Sequence, residues 1–242
     1  MQKSGRTALQ ANVEIKLLEL TREERRIGLN QLAEQLHTRP TKLIREIEDL
    51  AEKKLVSYSR GSLQMDAAQR ITLAAELIHA GRNPQRVTRF LEWQEFEWFA
   101  AESLEQNRFR TVRHLLFKSQ TGRREIDLIA WNDSFLLAID CKHWLRGLTP
   151  SLSRQLAHAQ SQRTEALAAR AELLRKHGVD KLDKRFLMPL IICLSEPRVR
   201  VVDGIPIVPI TRLISFLYEI SPIDERLRRI QVRPHSEQSL LA

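Results

Sequence analysis

Cysteine is nearly absent from this 242-residue chain. The two that occur, Cys141 and Cys193, lie far apart inside apolar stretches. That excludes a disulfide framework or a cysteine-built zinc site and points to buried thiols in a reducing compartment. Long hydrophobic runs are missing too. The longest, around 135–139 and 189–194, fall far short of the roughly 20 apolar residues needed to cross a bilayer. Residues 1–10 hold no apolar segment of the kind that heads a secretion signal, so a soluble cytoplasmic protein is expected. Internal repeats and low-complexity tracts are also lacking. The last absence is acidity: 39 Lys and Arg stand against 30 Asp and Glu, for a formal net charge of +9. Such a chain suits a polyanion, nucleic acid before any other. Its basic residues are dispersed rather than bunched, which argues against a membrane surface as partner. What is present is a globular composition, 43% hydrophobic and 29% charged, long enough for one large core or two modest ones.

Residues 1–66 read as a small helical unit that ends in a hairpin. Leu29, Leu32, Ala33 and Leu36 recur at helical spacing and mark one face of a short amphipathic helix. The run 37–40 ends it, with Thr38 as the expected N-cap of a second helix. That helix carries Leu43, Ile44, Ile47 and Leu50 inward. Residues 55–58, a turn at 59–62 and residues 63–65 then read as strand, turn, strand. Helix, tight turn, helix and hairpin is the order of a winged helix-turn-helix, and this stretch resembles that family. The resemblance implies that the second helix enters a DNA major groove while the hairpin touches the backbone. Arg39, Thr41, Lys42 and Arg45 would face outward for that purpose, with Arg60 on the wing tip. The alternatives are a solvated face shared with Glu46, Glu48 and Asp49, or a docking module for protein.

Residues 67–92 read as connecting helices broken at 81–84, and a second domain as 93–220, with a polar, basic tail over 221–242. The second domain reads as helix (93–106), strands (about 110–117, 125–131 and 135–143), a long helix (151–177), a strand (186–194), short strands to 207 and a helix (211–219). Helices flanking a central sheet make an α/β sandwich.

Chemistry concentrates on two of these strands. Five apolar residues, 135–139, lead straight into Asp140 and Lys142, so this strand is expected at the sheet centre, covered on both faces. The period of two puts Asp140 and Lys142 on one face. The preceding strand sets Asp127 among apolar neighbours, and a two-residue loop at Asp133-Ser134 would place Asp127 opposite Asp140. Facing carboxylates repel unless a cation lies between them, and oxygen ligands suit Mg²⁺, with Mn²⁺ as substitute. Lys142 could then orient a water or neutralise charge on a phosphate. On the helix at 93–106, Trp93, Phe96, Ala100 and Leu104 mark an apolar stripe on which Glu97 falls; Glu95, Glu102 and Glu105 fall off it. Glu97 either reaches the metal or its water, or pairs with an arginine.

A helix glutamate, a strand aspartate and acid-x-Lys on the next strand, in that order, resemble the PD-(D/E)xK nuclease superfamily. Phe96-Glu97, Glu125-Ile126-Asp127-Leu128-Ile129-Ala130 and Asp140-Cys141-Lys142 look closest to its Mrr-type restriction and archaeal Holliday-junction-resolvase branches. The bare acid-x-Lys pattern recurs at Glu14-Ile15-Lys16 and Glu52-Lys53-Lys54, so the weight rests on the order of elements. The resemblance covers about 93–210. It implies a restriction-endonuclease-like α/β sandwich with a mixed central sheet. Asp127, Asp140 and the main-chain carbonyl of Cys141 would bind the metal, Lys142 would assist the water and Glu97 would complete the site. Many relatives carry glutamate where this chain has Asp140.

On the helix that follows, Gln155, Gln162 and Arg163 are candidates for a polar helper. His114 and His143 read as sheet-edge histidines, and Trp131 and Trp144 as core residues or base-stacking platforms. The function expected is an Mg²⁺-dependent DNA endonuclease in restriction, repair or recombination, a homodimer if it cuts both strands. The alternative is a DNA-binding regulator whose second domain serves as a non-catalytic scaffold or dimerisation module.

Overall fold

The computed structural model describes residues 8–119, 122–144, 148–180 and 186–233. Residues 1–7 of the start and 234–242 of the tail lie outside the described residues. The chain divides into two compact units, Met1–Phe99 and Ala100–Ala242.

In the first unit, α1 (Ala8–Leu20) is followed by β1 (Arg26–Gly28), α2 (Leu29–Gln35), a 3-10 turn (Pro40–Lys42) and α3 (Ile44–Glu52). Then come β2 (Ser57–Ser59), β3 (Ser62–Gln64), α4 (Ala67–His79) and α5 (Pro84–Thr88). The sequence periodicity of α2 and α3 is realised as burial: Leu32, Ala33, Leu43, Ile47 and Leu50 are core residues. Ile44 is only half-buried, because the helix proper begins with it rather than before it. Thr38 does not cap that helix. Arg39 is the N-cap of the 3-10 turn without a side-chain bond, since Pro40 at the first helical position already fixes the entry. The hairpin turns through Arg60 and Gly61, both at positive φ, the backbone that a two-residue turn between antiparallel strands requires. β1 was not legible in the sequence; it adds to β3 and completes a three-stranded sheet.

The stretch 67–92, connecting helices in the sequence reading, supplies α4, whose Arg70, Ile71, Leu73, Ala74 and Leu77 are buried in this unit. Asp66 and Gln69 form a reciprocal capping box at its start. Arg70 is 0% exposed. Its Nε donates to Glu95 Oε1 at 3.0 Å, and Nη1 donates to the Leu18 carbonyl at 2.7 Å and to Thr21 Oγ1 at 2.6 Å. Its Nη2 donates to the Phe90 carbonyl. Glu95 also accepts from Arg25 Nη1 at 2.6 Å and, at Oε2, from the Glu92 N–H at 2.8 Å. The sequence reading leaves Glu95 on the surface, but it is 2% exposed. The correction has a physical cause: as the third residue of α6 (Trp93–Glu105), Glu95 folds back on the helix entrance, where two arginines neutralise it. Trp93, placed on the buried stripe by spacing, is 55% exposed.

The second unit is a mixed α/β fold around a seven-stranded sheet in the order β4-β5-β6-β7-β9-β8, with β10 on a second stretch of β7. The strands are β4 (Arg110–Ser119), β5 (Gly122–Trp131), β6 (Leu136–Lys142), β7 (Phe186–Cys193), β8 (Val201–Val202), β9 (Ile205–Pro209) and β10 (Ile230–Gln231). β4, β5 and β6 are antiparallel neighbours, whereas β7 runs parallel to both β6 and β9. The parallel β6–β7 step needs a crossover, made by α7 (Pro150–Ala168) and α8 (Ala171–Lys176). The single long helix expected there is therefore two, parted at Arg170, whose backbone leaves the helical region and whose Nη1 donates to the Lys118 carbonyl. After β9 a 3-10 turn leads into α9 (Leu213–Glu219). Part of the stretch set apart as a tail folds onto the sheet: Ile230 pairs with Leu187, Val232 is buried and the Arg233 N–H donates to the Ala168 carbonyl.

Burial alone would push the Glu95 carboxyl up, yet Arg70, the Glu92 N–H and Arg25 together hold it below its ordinary value. Its contribution to stability is therefore complete above the ordinary carboxylate range and lost as pH falls through the lowered folded value. Glu95→Ala, which strands a buried arginine, should cost about 3 kcal/mol at pH 7. Urea unfolding at pH 7 and at pH 3 checks this, and the wild-type advantage should shrink in acid; an equal advantage at both would contradict it.

Candidate functional site

β6 is apolar and buried from Leu136 to Ile139, as a central strand between covering layers must be, and this is what makes the next side chain unusual. Asp140 is 2% exposed. Its neighbour strand is fixed by a tight turn: Asn132 N–H donates to the Phe135 carbonyl, and Asn132 Oδ1 accepts from the Ser134 and Phe135 N–H groups. The register from Trp131↔Leu136 to Leu128↔Ile139 continues to set Asp127 opposite Asp140, as the Asp133-Ser134 loop implied. Asp127 Oδ2 accepts from the Cys141 N–H at 2.8 Å, which ties the first aspartate to the second strand between its two charged residues.

Asp140 Oδ1 accepts from Lys142 Nζ at 2.8 Å and from Arg163 Nη2 at 2.6 Å. Asp140 Oδ2 is buried and has no hydrogen-bond partner among the described residues. Arg163 comes from α7, where its Nε donates to Gln160 Oε1 at 3.0 Å, while Gln160 Nε2 donates to the Ala138 carbonyl at 2.8 Å. Two carboxylates and two cations thus share one face of the sheet, and their formal charges cancel. Among the described residues, no group of three or more His, Cys, Asp or Glu is placed to hold a metal ion. A cation here would rely on Asp127, Asp140 and main-chain oxygen, a set that suits a hard divalent ion.

No protein-family model matches the chain. An uncharacterised protein of Archaeoglobus fulgidus is 29% identical over 127 residues, covering 52% of this chain and 90% of its own length. Among solved structures, the protein of unknown function AF1548 aligns with 48% of this chain at 20% identity and a TM-score of 0.33. Protein VC1899 from Vibrio cholerae aligns with 87% at 15% identity and a TM-score of 0.39. The chain spans only 57% and 55% of those two structures, respectively. None of the three descriptions names an activity.

The sequence reading reached Asp127, Asp140 and Lys142, and the structure brings these three together with Cys141 between them. Of the three helper candidates on α7, Arg163 is at the site, whereas Gln155 and Gln162 are exposed, the latter beside His158. Gln160 was missed, although the signal existed: it lies on the buried stripe of Ser153, Ala157, Thr164 and Leu167, where a glutamine needs a partner. Glu97 is buried on α6, as its place on the apolar stripe implied, and that helix runs from the first unit into the second. His114 is not an ordinary strand residue. Its φ is positive, the β4–β5 ladder skips its pairing with Asp127, and its Nδ1 lies 3.1 Å from Glu125 Oε1. Trp131 is buried in the core, while Trp144, just past β6, is 39% exposed. In the first unit Arg39, Thr41, Lys42, Arg45 and Arg60 are all exposed.

Burial raises the Asp127 carboxyl above its ordinary value, and the neighbouring Asp140 charge raises it further, against the Cys141 N–H, Lys142 and Arg163. A carboxyl with a raised folded pKa costs stability once ionised, so the penalty appears as pH rises through that value and vanishes in acid. Asp127→Asn should keep the bond from Cys141 and raise the melting temperature of the metal-free protein at pH 7 by a few degrees (roughly 1 kcal/mol at this size). At pH 4 the gain should fall away. Scanning calorimetry at the two values decides it, and a variant less stable at pH 7 would refute the repulsion.

Proposed function

We propose that this chain is a metal-dependent DNA endonuclease of the PD-(D/E)xK type, its first unit a winged helix-turn-helix that binds the duplex. One observation carries the reading: opposed aspartates on neighbouring central strands, with Asp140 Oδ2 buried and without a hydrogen-bond donor among the described residues. A buried carboxylate oxygen left unsatisfied costs more than a satisfied one, and a hard cation is the ligand that relieves it. Asp127 and Asp140 would hold Mg²⁺ or Mn²⁺, with the Cys141 carbonyl between them. Bound there, the cation would supply Lewis-acid activation of a phosphodiester and lower the pKa of a water.

The chain's own residues have separate parts. Asp127 is held in place by the Cys141 N–H, so its free oxygen has a fixed direction. Lys142 is only 19% exposed and sits two residues beyond Asp140 on the same face, where it can hold a water or meet charge growing on a phosphate. The turn and helix carrying Arg39, Thr41, Lys42 and Arg45, with Arg60 at the hairpin tip, present unburied charge to a duplex backbone. Among the described residues no acid pairs with any of these four cations, which favours a polyanion over a self-neutralised surface.

Purified protein should nick supercoiled plasmid with Mg²⁺ or Mn²⁺ and stop when a chelator is added. Asp140→Asn and Lys142→Ala should each lower the rate by about a hundredfold or more, as removal of a group that meets developing charge does, while affinity for duplex DNA is kept. Undiminished cutting by Asp140→Asn would place the activity elsewhere. Bound but uncut DNA under every metal tried would leave the alternative, a DNA-binding protein with a non-catalytic second unit.

Affinity should reside in the first unit. Changing Arg39, Lys42, Arg45 and Arg60 together to alanine should weaken duplex binding and flatten its salt dependence by roughly 0.9 in slope per lost phosphate contact. Titrations at several salt concentrations measure both, and an unchanged slope would mean that this surface docks something other than DNA.

A further inference from the structure

Arg163 has a geometry that packing alone does not demand. Its Nε is fixed on Gln160, and Gln160 is fixed on the Ala138 carbonyl, so helix and strand together hold the base of the guanidinium. Its Nη2 tip lies on Asp140 Oδ1, 2.6 Å away. Lys142 already donates to that same oxygen. One carboxylate oxygen therefore carries two cations while its twin is buried with no partner among the described residues. A structural ion pair would spread its donors over both oxygens, since that satisfies more acceptor capacity at equal charge.

Charge accounting gives the arrangement a purpose. With Asp127 and Asp140 ionised, Lys142 and Arg163 bring the cluster to zero. A divalent cation would leave it at +2, which a half-buried site holds poorly until an anion joins it. The guanidinium fork fits the paired oxygens of a phosphodiester as well as it fits a carboxylate. We infer that Arg163 is a catalytic residue held in reserve: it leaves Asp140 when a divalent cation occupies the pair and binds the non-bridging oxygens of the scissile phosphate. Cation and DNA phosphate consequently bind more tightly together than either does alone, a coupling that is reciprocal by linkage. The inference rests on the nuclease reading above and adds a residue and an order of events to it.

The test is Mn²⁺ binding followed by electron paramagnetic resonance on the full chain, wild type and Arg163→Met, with and without a non-hydrolysable duplex. Cleavage rates at saturating Mn²⁺ and melting temperatures are taken on the same samples. Removing the competing guanidinium should tighten Mn²⁺ binding to the free protein by roughly tenfold, the worth of one charged hydrogen bond. Cleavage should slow by about a hundredfold, and the tightening of Mn²⁺ by duplex should shrink. Arg163→Lys, which keeps the charge and shortens the fork, should fold as wild type, bind Mn²⁺ at least as tightly and still cut slowly. It carries the test if the methionine variant does not fold. A purely structural Arg163 predicts a lower melting temperature with unchanged or weaker Mn²⁺ binding and normal cutting, and that result overturns the inference. Absence of Mn²⁺ binding in wild type, even with duplex, overturns the nuclease reading itself and is distinguishable from the first failure.

Discussion

A charged carboxylate inside a covered β-strand has to be compensated, and much of the second unit is arranged around that need. Asp140 follows four buried apolar residues on the strand between β5 and β7, where an unpaired ionised group would be worth several kcal/mol against folding. Three constraints meet at this residue. Two of these are cations, Lys142 reaching back along the same strand and Arg163 reaching down from α7. The third is positional, since the register set by the Asn132–Phe135 turn stands the second carboxylate, Asp127, opposite and ties it to the Cys141 N–H instead of leaving it free. A one-residue slip would turn Asp127 to the other face and break its bond from the Cys141 N–H. The position of α7 is tied to the same strand through Gln160 and the Ala138 carbonyl, so helix placement and site geometry are one constraint.

The first unit solves a similar problem differently. Arg70 is as buried as Asp140, but it is used up: each guanidinium nitrogen has a partner, and the Glu95 carboxylate beneath it serves two arginines and a backbone N–H. Nothing in that network is left over for a ligand, and its role is to join α1, α4 and the entrance of α6. Asp140 keeps one oxygen in reserve. Two buried charges of nearly equal depth can thus be sorted by what remains unspent, the saturated one holding the fold together and the other keeping an acceptor that no donor among the described residues fills.

The strands and helices of both units were mostly legible, because a period of two around 125–142 and a period near 3.6 over 29–50 are strong local signals. The opposed aspartates were legible as well, since a two-residue turn leaves one register. What escaped depended on non-local partners. Glu95 looked like surface because it falls off the apolar stripe of its helix, and only Arg25 and Arg70, distant in sequence, take it inside. Gln160 was overlooked for Gln155 and Gln162, although its place on the inner stripe of α7 distinguishes it. The break at Arg170 had no glycine or proline to announce it, and β1 is three residues long, too short for any alternation to show.

The stretch 228–233 returns to a strand laid down some forty residues earlier. Ile230 and Gln231 cover Leu187 and Phe186, and the Arg228 N–H rests on the Gly204 carbonyl, where a side chain at position 204 would meet that backbone nitrogen at 2.8 Å. In a nascent chain, β7 therefore emerges before β10, its last partner, exists. At roughly 5–20 residues per second it waits on the order of a few seconds with part of one edge uncovered. Phe186, exposed and beneath the Arg229 guanidinium in the finished fold, marks the outer end of that edge. An open, apolar strand edge is a template for pairing with another chain. In the finished fold β10 lies along that edge and leaves less of it open to pairing with another chain.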